Sequence, residues 1–205
     1  LFLLLLLPTA ACCATPELGT LLTRLQRPAP QHTDFVEIRY SKLLSAPLRA
    51  AGSLEFRGLD QLSKLTTTPF QERLAVDGEK VLVARAGERE RRFSLSRAPE
   101  LRGLLSSFGA ILAGDRAMLE RHFTATVSGD DAHWQLSLAP RESRTARRIR
   151  AVQVVGSADR ANCFVVREAS GSVSFLLVGE TAAALPDGAA PRATVEALCQ
   201  GASTP

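Results

Sequence analysis

The sequence predicts a mainly β fold with α: about eleven antiparallel strands in one barrel-like or half-barrel sheet, with helices on one side. Three observations carry this. Asp34 to Pro69 holds three consecutive strand-like runs, a two-residue hydrophobic period recurs through most of the later chain, and one helical insert interrupts it. The middle run of the three is the clearest. Leu48, Ala50, Gly52, Leu54 and Phe56 alternate with Arg49, Ala51, Ser53, Glu55 and Arg57, so one face is apolar and the other wet. Before it, Phe35 to Tyr40 is rich in aromatic and β-branched residues, and Ala46-Pro47 marks the turn. After it, Leu59 to Thr68 ends in a strand-favouring Thr triplet stopped by Pro69.

A chain of 205 residues with 45% hydrophobic and 22% charged residues suits one domain that closes its own core. Nine Phe stand against one Trp and one Tyr, and Phe, lacking a polar handle, suits a dry interior. The net charge of +4 is modest, and runs such as Glu88-Arg89-Glu90-Arg91-Arg92 mix the signs. That pattern describes solvated strand faces and argues against a nucleic-acid surface.

Residues 1–14 read as a secretory signal truncated at its start: an apolar run from Leu1 to Leu7, then small residues with cleavage expected after Ala14. The run is too short to span a bilayer. Thr9-Ala10-Ala11-Cys12 leaves a lipid-anchored form at Cys12 as an alternative to a soluble exported protein; both are extracytoplasmic. With Cys12 and Cys13 removed, Cys163 and Cys199 remain. In an oxidising compartment they form either a disulfide or two small unpaired core residues. No metal set is expected, since no CxxC spacing occurs and the His residues are scattered.

Thr15-Pro16-Glu17 opens a helix whose Leu18, Leu21, Leu22 and Leu25 form one apolar stripe, ended by Arg27-Pro28-Ala29-Pro30. Beyond the three opening strands come Glu72 to Val76, the turn Asp77-Gly78, Lys80 to Arg85, and a strand over Arg89 to Leu95. Then Leu101, Leu104, Leu105, Phe108, Ile111 and Leu112 recur at helical spacing, with Gly103 and Gly109 weakening the helix and Gly114 ending it. Asp115 is placed to cap a second short helix carrying Met118, Leu119 and His122. Strands resume at Phe123 to Val127 and Trp134 to Ala139. A short Arg-rich helix is expected within Arg141 to Arg150, then strands over Ile149 to Gly156, Cys163 to Arg167 and Val173 to Val178. From 181 to 205 Ala, Gly and Pro dominate, and a loosely held tail with little structure is expected.

Catalytic signatures are missing: there is no Gly-x-Ser-x-Gly and no phosphate-binding loop. His122 and His133 read as structural, and Asp130-Asp131 as a hydrogen-bonded turn rather than a cation site. The expectation is a protein that is not an enzyme and carries no cofactor.

The order of these pieces resembles the LolA family of periplasmic lipoprotein carriers and its divergent LolA-like relatives. The residues that carry the resemblance are Phe35-x-Glu37, Gly52-x-Leu54, Leu62, Pro69, Asp77-Gly78, and Gly129-Asp130-Asp131 leading to Leu136-x-Leu138-x-Pro140, within residues 15–180. The resemblance implies an unclosed antiparallel β-barrel with helices as a lid over an apolar cavity, the 101–112 helix forming part of that lid. It implies a monomeric carrier that binds the acyl chains of a lipoprotein or other lipid and moves them from an inner-membrane donor to an outer-membrane acceptor. The residues it assigns to the cavity are Phe35, Ile38, Leu54, Phe56, Phe93, Leu101, Leu105, Phe108, Leu112, Trp134, Leu136 and Phe175. Taken singly, each of these reads first as solid core, and only the resemblance turns the set into a cavity lining; the alternative is a non-transporting envelope scaffold or lipid-anchored protein with a filled β-core. Where the family often has Arg-Pro, with the Arg locking the lid, this chain reads Arg57-Gly58, so Arg57 is a near match for the lock. Phe35-x-Glu37 stands in place of the usual Phe-x-Gln, and another lipid cargo is compatible with both departures.

Overall fold

The computed structural model describes residues 15–201. The signal reading of residues 1–14, with Cys12 and Cys13, and residues 202–205 lie outside the described part. The first helix, α1 (Leu18–Leu25), precedes six strands: β1 (Gln31–Tyr40), β2 (Leu48–Gly58), β3 (Gln61–Thr68), β4 (Glu72–Asp77), β5 (Lys80–Arg85) and β6 (Arg91–Ser94). A 3-10 turn at Leu95–Arg97 leads into α2 (Pro99–Ala113) and α3 (Arg116–His122). The second half holds β7 (Phe123–Gly129), β8 (Trp134–Pro140), α4 (Ser143–Ala146), β9 (Ile149–Ser157), β10 (Arg160–Glu168), β11 (Val173–Val178), α5 (Gly179–Ala183) and α6 (Arg192–Cys199).

All eleven strands form one antiparallel sheet in the order β6-β5-β4-β3-β2-β1-β11-β10-β9-β8-β7. Its edges, β6 and β7, do not pair, so the barrel stays open. Every pairing but one joins neighbours in sequence; the exception is β1 with β11, from Phe35↔Val178 to Tyr40↔Val173. Bulges interrupt β2–β3 at Ala51/Gly52 and β9–β10 at Ala161/Cys163 and Arg167/Glu168. A bulge bends its strand and adds twist, which curls the sheet.

Period-two alternation assigns each strand residue to the concave or the convex face. On the concave side α1, α2 and α3 press Leu21, Leu22, Ala110, Ile111 and Leu119 against Trp134, Leu136, Leu138, Val152 and Val154, all essentially buried. Asp115 caps α3 as its sequence position suggested, accepting from Met118 N–H at 2.9 Å. Gly114 ends α2 in the left-handed conformation at φ 71°.

Three local differences from the sequence pattern have clear causes. The hairpin loop is Gly78–Glu79 between paired Asp77 and Lys80, one residue later than Asp-Gly suggested, with Gly78 at φ 56°. Strand β6 is short because Leu95 turns inward to pack on Val76 and Val81. The Arg-rich helix is only α4, because Arg150 already belongs to β9.

The larger difference is the C-terminal segment, which is folded. Val195, Leu198 and Cys199 of α6, with Leu185 and Ala190, cover the convex side of Ile38, Cys163, Val165, Phe175 and Leu177. The Tyr40 hydroxyl donates to the Ala190 carbonyl at 2.7 Å, and Arg49 donates to the Pro186 carbonyl at 2.7 Å. Burial raises the pKa of Tyr40, so the phenol keeps this donated proton. Cys163 and Cys199 form a disulfide that ties α6 to β10. A cross-link closing a span of 36 residues stabilises by about 3–4 kcal/mol through the unfolded state. Replacing Cys199 with Ser should lower stability by about that amount in chemical denaturation and expose α6 to proteolysis. Hydrogen exchange of β7–β9 amides should stay slow relative to α6.

Candidate functional site

The concave face is packed unevenly. Beneath α1–α3, Trp134 and Leu136 are 1% and 0% exposed and belong to solid core. The Trp134 indole N–H donates to the Ala158 carbonyl at 3.1 Å, so its polar tip is satisfied as well. Toward β1–β6 the packing loosens. Leu62, Leu74, Val83 and Phe93 of the sheet, and Leu101 and Leu105 of α2, are only partly buried around a small nucleus of Val76, Val81 and Leu95. Leu54 and Leu112 are likewise half-buried. This strip under one flank of α2 is apolar surface that the protein's own side chains leave partly uncovered.

Ten of the twelve apolar residues assigned to the site lie on the concave side of the sheet, where those that join a core cluster are spread over two separate ones. Phe35, Leu54, Phe56, Phe93, Trp134 and Leu136 lie on the concave face by register, with Leu101, Leu105, Phe108 and Leu112 on the helix above it. Phe108 meets Phe164 edge to face at 4.9 Å. Ile38 and Phe175 are placed elsewhere: both are 1% exposed on the convex side beneath α6. The alternation along β1 puts Phe35 and Ile38 on opposite faces, and both faces are buried there.

Arg57 lies on the side of the sheet away from α2. It shares the convex-facing phase of β2 with Glu55, binds that carboxylate at 2.8 Å and is 63% exposed. The bond holds the Glu55 carboxyl below the usual carboxylate range. What holds α2 down is different. Arg102 makes an ion pair with Glu79 in the β4–β5 loop. Gly109 rests on the β2–β3 turn so closely that a Cβ there would lie 2.1 Å from the Leu59 carbonyl oxygen. Gly109 is therefore a contact point of the helix and not a soft spot in it.

Polar residues form a belt across the concave face beside the apolar strip. Glu37 pairs with Lys64, whose ammonium lies 4.7 Å from the Phe35 ring centre. Glu72 binds Arg85 across β4–β5 at 2.9 Å, and Arg39 of β1 reaches Glu168 of β10 at 2.7 Å. The loops at this end of the sheet expose apolar side chains: Leu43 is 93% exposed, Leu44 42%, and Phe70 36% with the Arg85 guanidinium 4.1 Å above its ring.

Residues suggestive of chemistry are accounted for structurally. Asp130 Oδ1 accepts from the Ala132 and His133 N–H groups at 2.9 Å, and Asp131 binds Arg24 at 2.7 Å. Burial, then the neighbouring Arg121, lowers the pKa of His122. Among the described residues no group of three His, Cys, Asp or Glu is placed to hold a metal ion, and no helix is long and apolar enough to cross a membrane.

The architecture is an open, curled antiparallel sheet with helices laid across a partly covered apolar concavity. The chain belongs to the outer membrane lipoprotein carrier protein LolA-like family, whose match runs from residue 10 to residue 202 and so takes in the C-terminal helices. No curated protein matches it in sequence. Solved structures of similar shape include a LolA superfamily protein from Nitrosomonas europaea, 13% identical, with a TM-score of 0.46 over 81% of this chain and 92% of that one. LprF from Mycobacterium bovis is 13% identical, with a TM-score of 0.37 over 86% of this chain and 100% of that one.

Because Gly109 sets the height of α2, Gly109→Ala should lift the helix or destabilise the fold by about 1–3 kcal/mol, the usual cost of overpacking. The check is thermal melting together with hydrogen exchange of α2 amides, which should speed up while β8 and β9 amides stay protected.

Proposed function

We propose that this protein is a periplasmic carrier that takes up the acyl chains of a lipoprotein or other lipid beneath α2 and passes them from an inner-membrane donor to an outer-membrane acceptor. The observation that supports it best is the strip of half-buried apolar side chains between α2 and β2–β6. A filled core would bury these residues as it buries Trp134 and Leu136. Family membership agrees with this reading.

The driving force is removal of apolar area from water, about 25 cal/mol per Å² or about 0.8 kcal/mol per methylene. The chain therefore needs no covalent chemistry to load its cargo. It needs a helix that can move while the rest of the sheet holds. The solid packing of α1–α3 on β7–β9 keeps one side of the site rigid. The N-terminal half of α2 faces the loosely packed side, where local opening takes least free energy.

The test is uptake of an apolar fluorescent probe and of fatty acids of graded length by the purified mature chain, with lipid extraction from the envelope-purified protein. Affinity should rise roughly ten-fold per two methylenes until the strip is covered. Leu105→Gln should weaken uptake about ten-fold. Leu198→Ala, on the convex face, should cost about 2–3 kcal/mol of stability and leave uptake unchanged. A protein that excludes every apolar probe and carries no lipid is a scaffold with a filled core, and the carrier reading falls.

A further inference from the structure

Among the described residues, four of the five large apolar side chains that stand exposed lie at one end of the sheet: Leu43 at 93%, Leu44 at 42%, Leu48 at 46% and Phe70 at 36%. Single exposed leucines are ordinary, whereas a group of them in one place calls for a partner. The register puts them together. Arg39 pairs with Leu48, Ala51 with Thr68 and Tyr40 with Val173, so the β1–β2, β3–β4 and β10–β11 loops leave the same end. Glu168 opposite Ile149 brings the β8–β9 connection there too. The leucines are displayed by an ordered turn. Leu44 N–H donates to the Ser41 carbonyl at 3.2 Å and Leu43 N–H to the Ser41 hydroxyl at 3.3 Å; that hydroxyl also accepts from Ser172 of the neighbouring loop at 3.0 Å. The turn is closed by its own backbone and by Ser41, which keeps Leu43 outward.

Charge divides the molecule along the same axis. The tight turns at the far end carry Asp60, Glu79, Asp130, Asp131 and Asp159, and no Lys or Arg. At the apolar end the β1–β2 loop holds Lys42 and no acid, and the β8–β9 connection holds Arg141, Arg144 and Arg147 against Glu142. Lys42, Arg144 and Arg147 are exposed and make no ion pair among the described residues. Glu88 and Glu90 of the β5–β6 loop share this end, but each is bound by an arginine, Arg85 at 3.4 Å and Arg92 at 2.7 Å.

We propose that this end of the sheet docks on a bilayer surface bearing anionic headgroups, with Leu43 and Leu44 entering the headgroup layer and Lys42, Arg144 and Arg147 meeting the lipid phosphates. The proposal goes beyond the carrier reading and does not depend on it. Two leucines on one turn give a small apolar tip, far below the roughly 800 Å² per side that a standard protein interface buries. A fluid headgroup layer accepts such a tip, its aliphatic side chains passing between headgroups while Lys and Arg stay at the phosphates. Phe70, with the Arg85 guanidinium 4.1 Å above its ring, is the same pairing of apolar body and charged head. The acidic far end adds orientation, because the surface that attracts one end repels the other.

The experiment is flotation of the mature chain with vesicles of phosphatidylcholine alone and of equimolar phosphatidylcholine and phosphatidylglycerol, at low and high salt. Binding to the mixed vesicles should exceed binding to the neutral ones by about ten-fold or more and fall as salt rises. L43S/L44S should weaken it about ten-fold, with thermal melting unchanged because both side chains are exposed. Lys42→Glu should weaken it about ten-fold, whereas Lys80→Glu, the same change of net charge at the far end, should alter it by less than about two-fold. Leu43→Trp should shift its emission to the blue on the mixed vesicles; the one native Trp, Trp134, is 1% exposed and gives the unsubstituted chain no such change. Equal binding to the two vesicle types overturns the docking surface, since its cations then contribute nothing. Binding that survives L43S/L44S, or that leaves the emission of Leu43→Trp unshifted, also overturns it by placing the contact elsewhere. A chain that ignores both vesicle types overturns it in favour of a protein partner at this tip. Uptake of the apolar probe, measured without vesicles, decides the carrier reading separately, so that either can fall while the other stands.

Discussion

The pairing of β1 with β11 is the contact on which the rest of the structure depends. It is the one ladder in the sheet that joins distant parts of the chain, and it runs for six residue pairs from Phe35↔Val178 to Tyr40↔Val173. Without it the chain is two separate meanders, β1–β6 and β7–β11, each with an unpaired inner edge. With it, the two are one curled surface. Both faces of this seam carry buried apolar residues. Phe35 and Leu176 lie on the concave side, and Ile38, Phe175 and Leu177 lie under α6 on the convex side. An antiparallel sheet commonly leaves one face to water. Here the convex phase of β1 and β11 is apolar (Val36, Ile38, Phe175, Leu177), and the C-terminal helices cover it, while on the concave side Phe35, Leu176 and Val178 share their phase with Glu37 and Arg39.

That double burial makes function possible at one place and stability at another. The convex side, cross-linked by Cys163–Cys199 and closed by Tyr40 and Arg49, is a fixed back wall. The α1–α3 cluster over Trp134 and Leu136 is a fixed side wall. The region between α2 and β2–β6 is packed less tightly. A binding protein for a flexible apolar ligand needs this asymmetry. A rigid frame limits the entropy lost on binding, and a small mobile cover allows entry. Gly109 on the Leu59 carbonyl and Arg102 on Glu79 are points where α2 touches the sheet's turns, and neither involves Arg57.

Two residues of the apolar set, Ile38 and Phe175, show where reading a site from sequence stops. Period two says that Phe35 and Ile38 point to opposite faces, but on a strand buried on both sides it does not say which face holds the helices. The position of Arg57 follows from the same alternation. Its phase on β2 matches Glu55, not Leu54 and Phe56, so the alternation itself places it away from α2. The tail was obscured by composition. Val195, Leu198 and Cys199 fall at i, i+3 and i+4, a short apolar stripe after Pro191, among Ala, Gly and Pro that read as loop. That spacing was the available signal, and it is too short to stand out unless a partner surface is known.

By itself the sequence determined the strand and helix pattern, the caps at Asp115 and Gly114, the open mixed-charge surface and the family resemblance. All of these follow from local periodicity, backbone preference and residue order, which neighbours in the chain already specify. The tertiary structure decided which face of the central strands lies under α2 and that the tail is a second helical cover. It also decided that Gly109 is a contact and that the apolar strip is only half-covered. Each of these depends on two surfaces meeting across the fold, and how completely they bury one another is a property of the pair that neither segment carries alone.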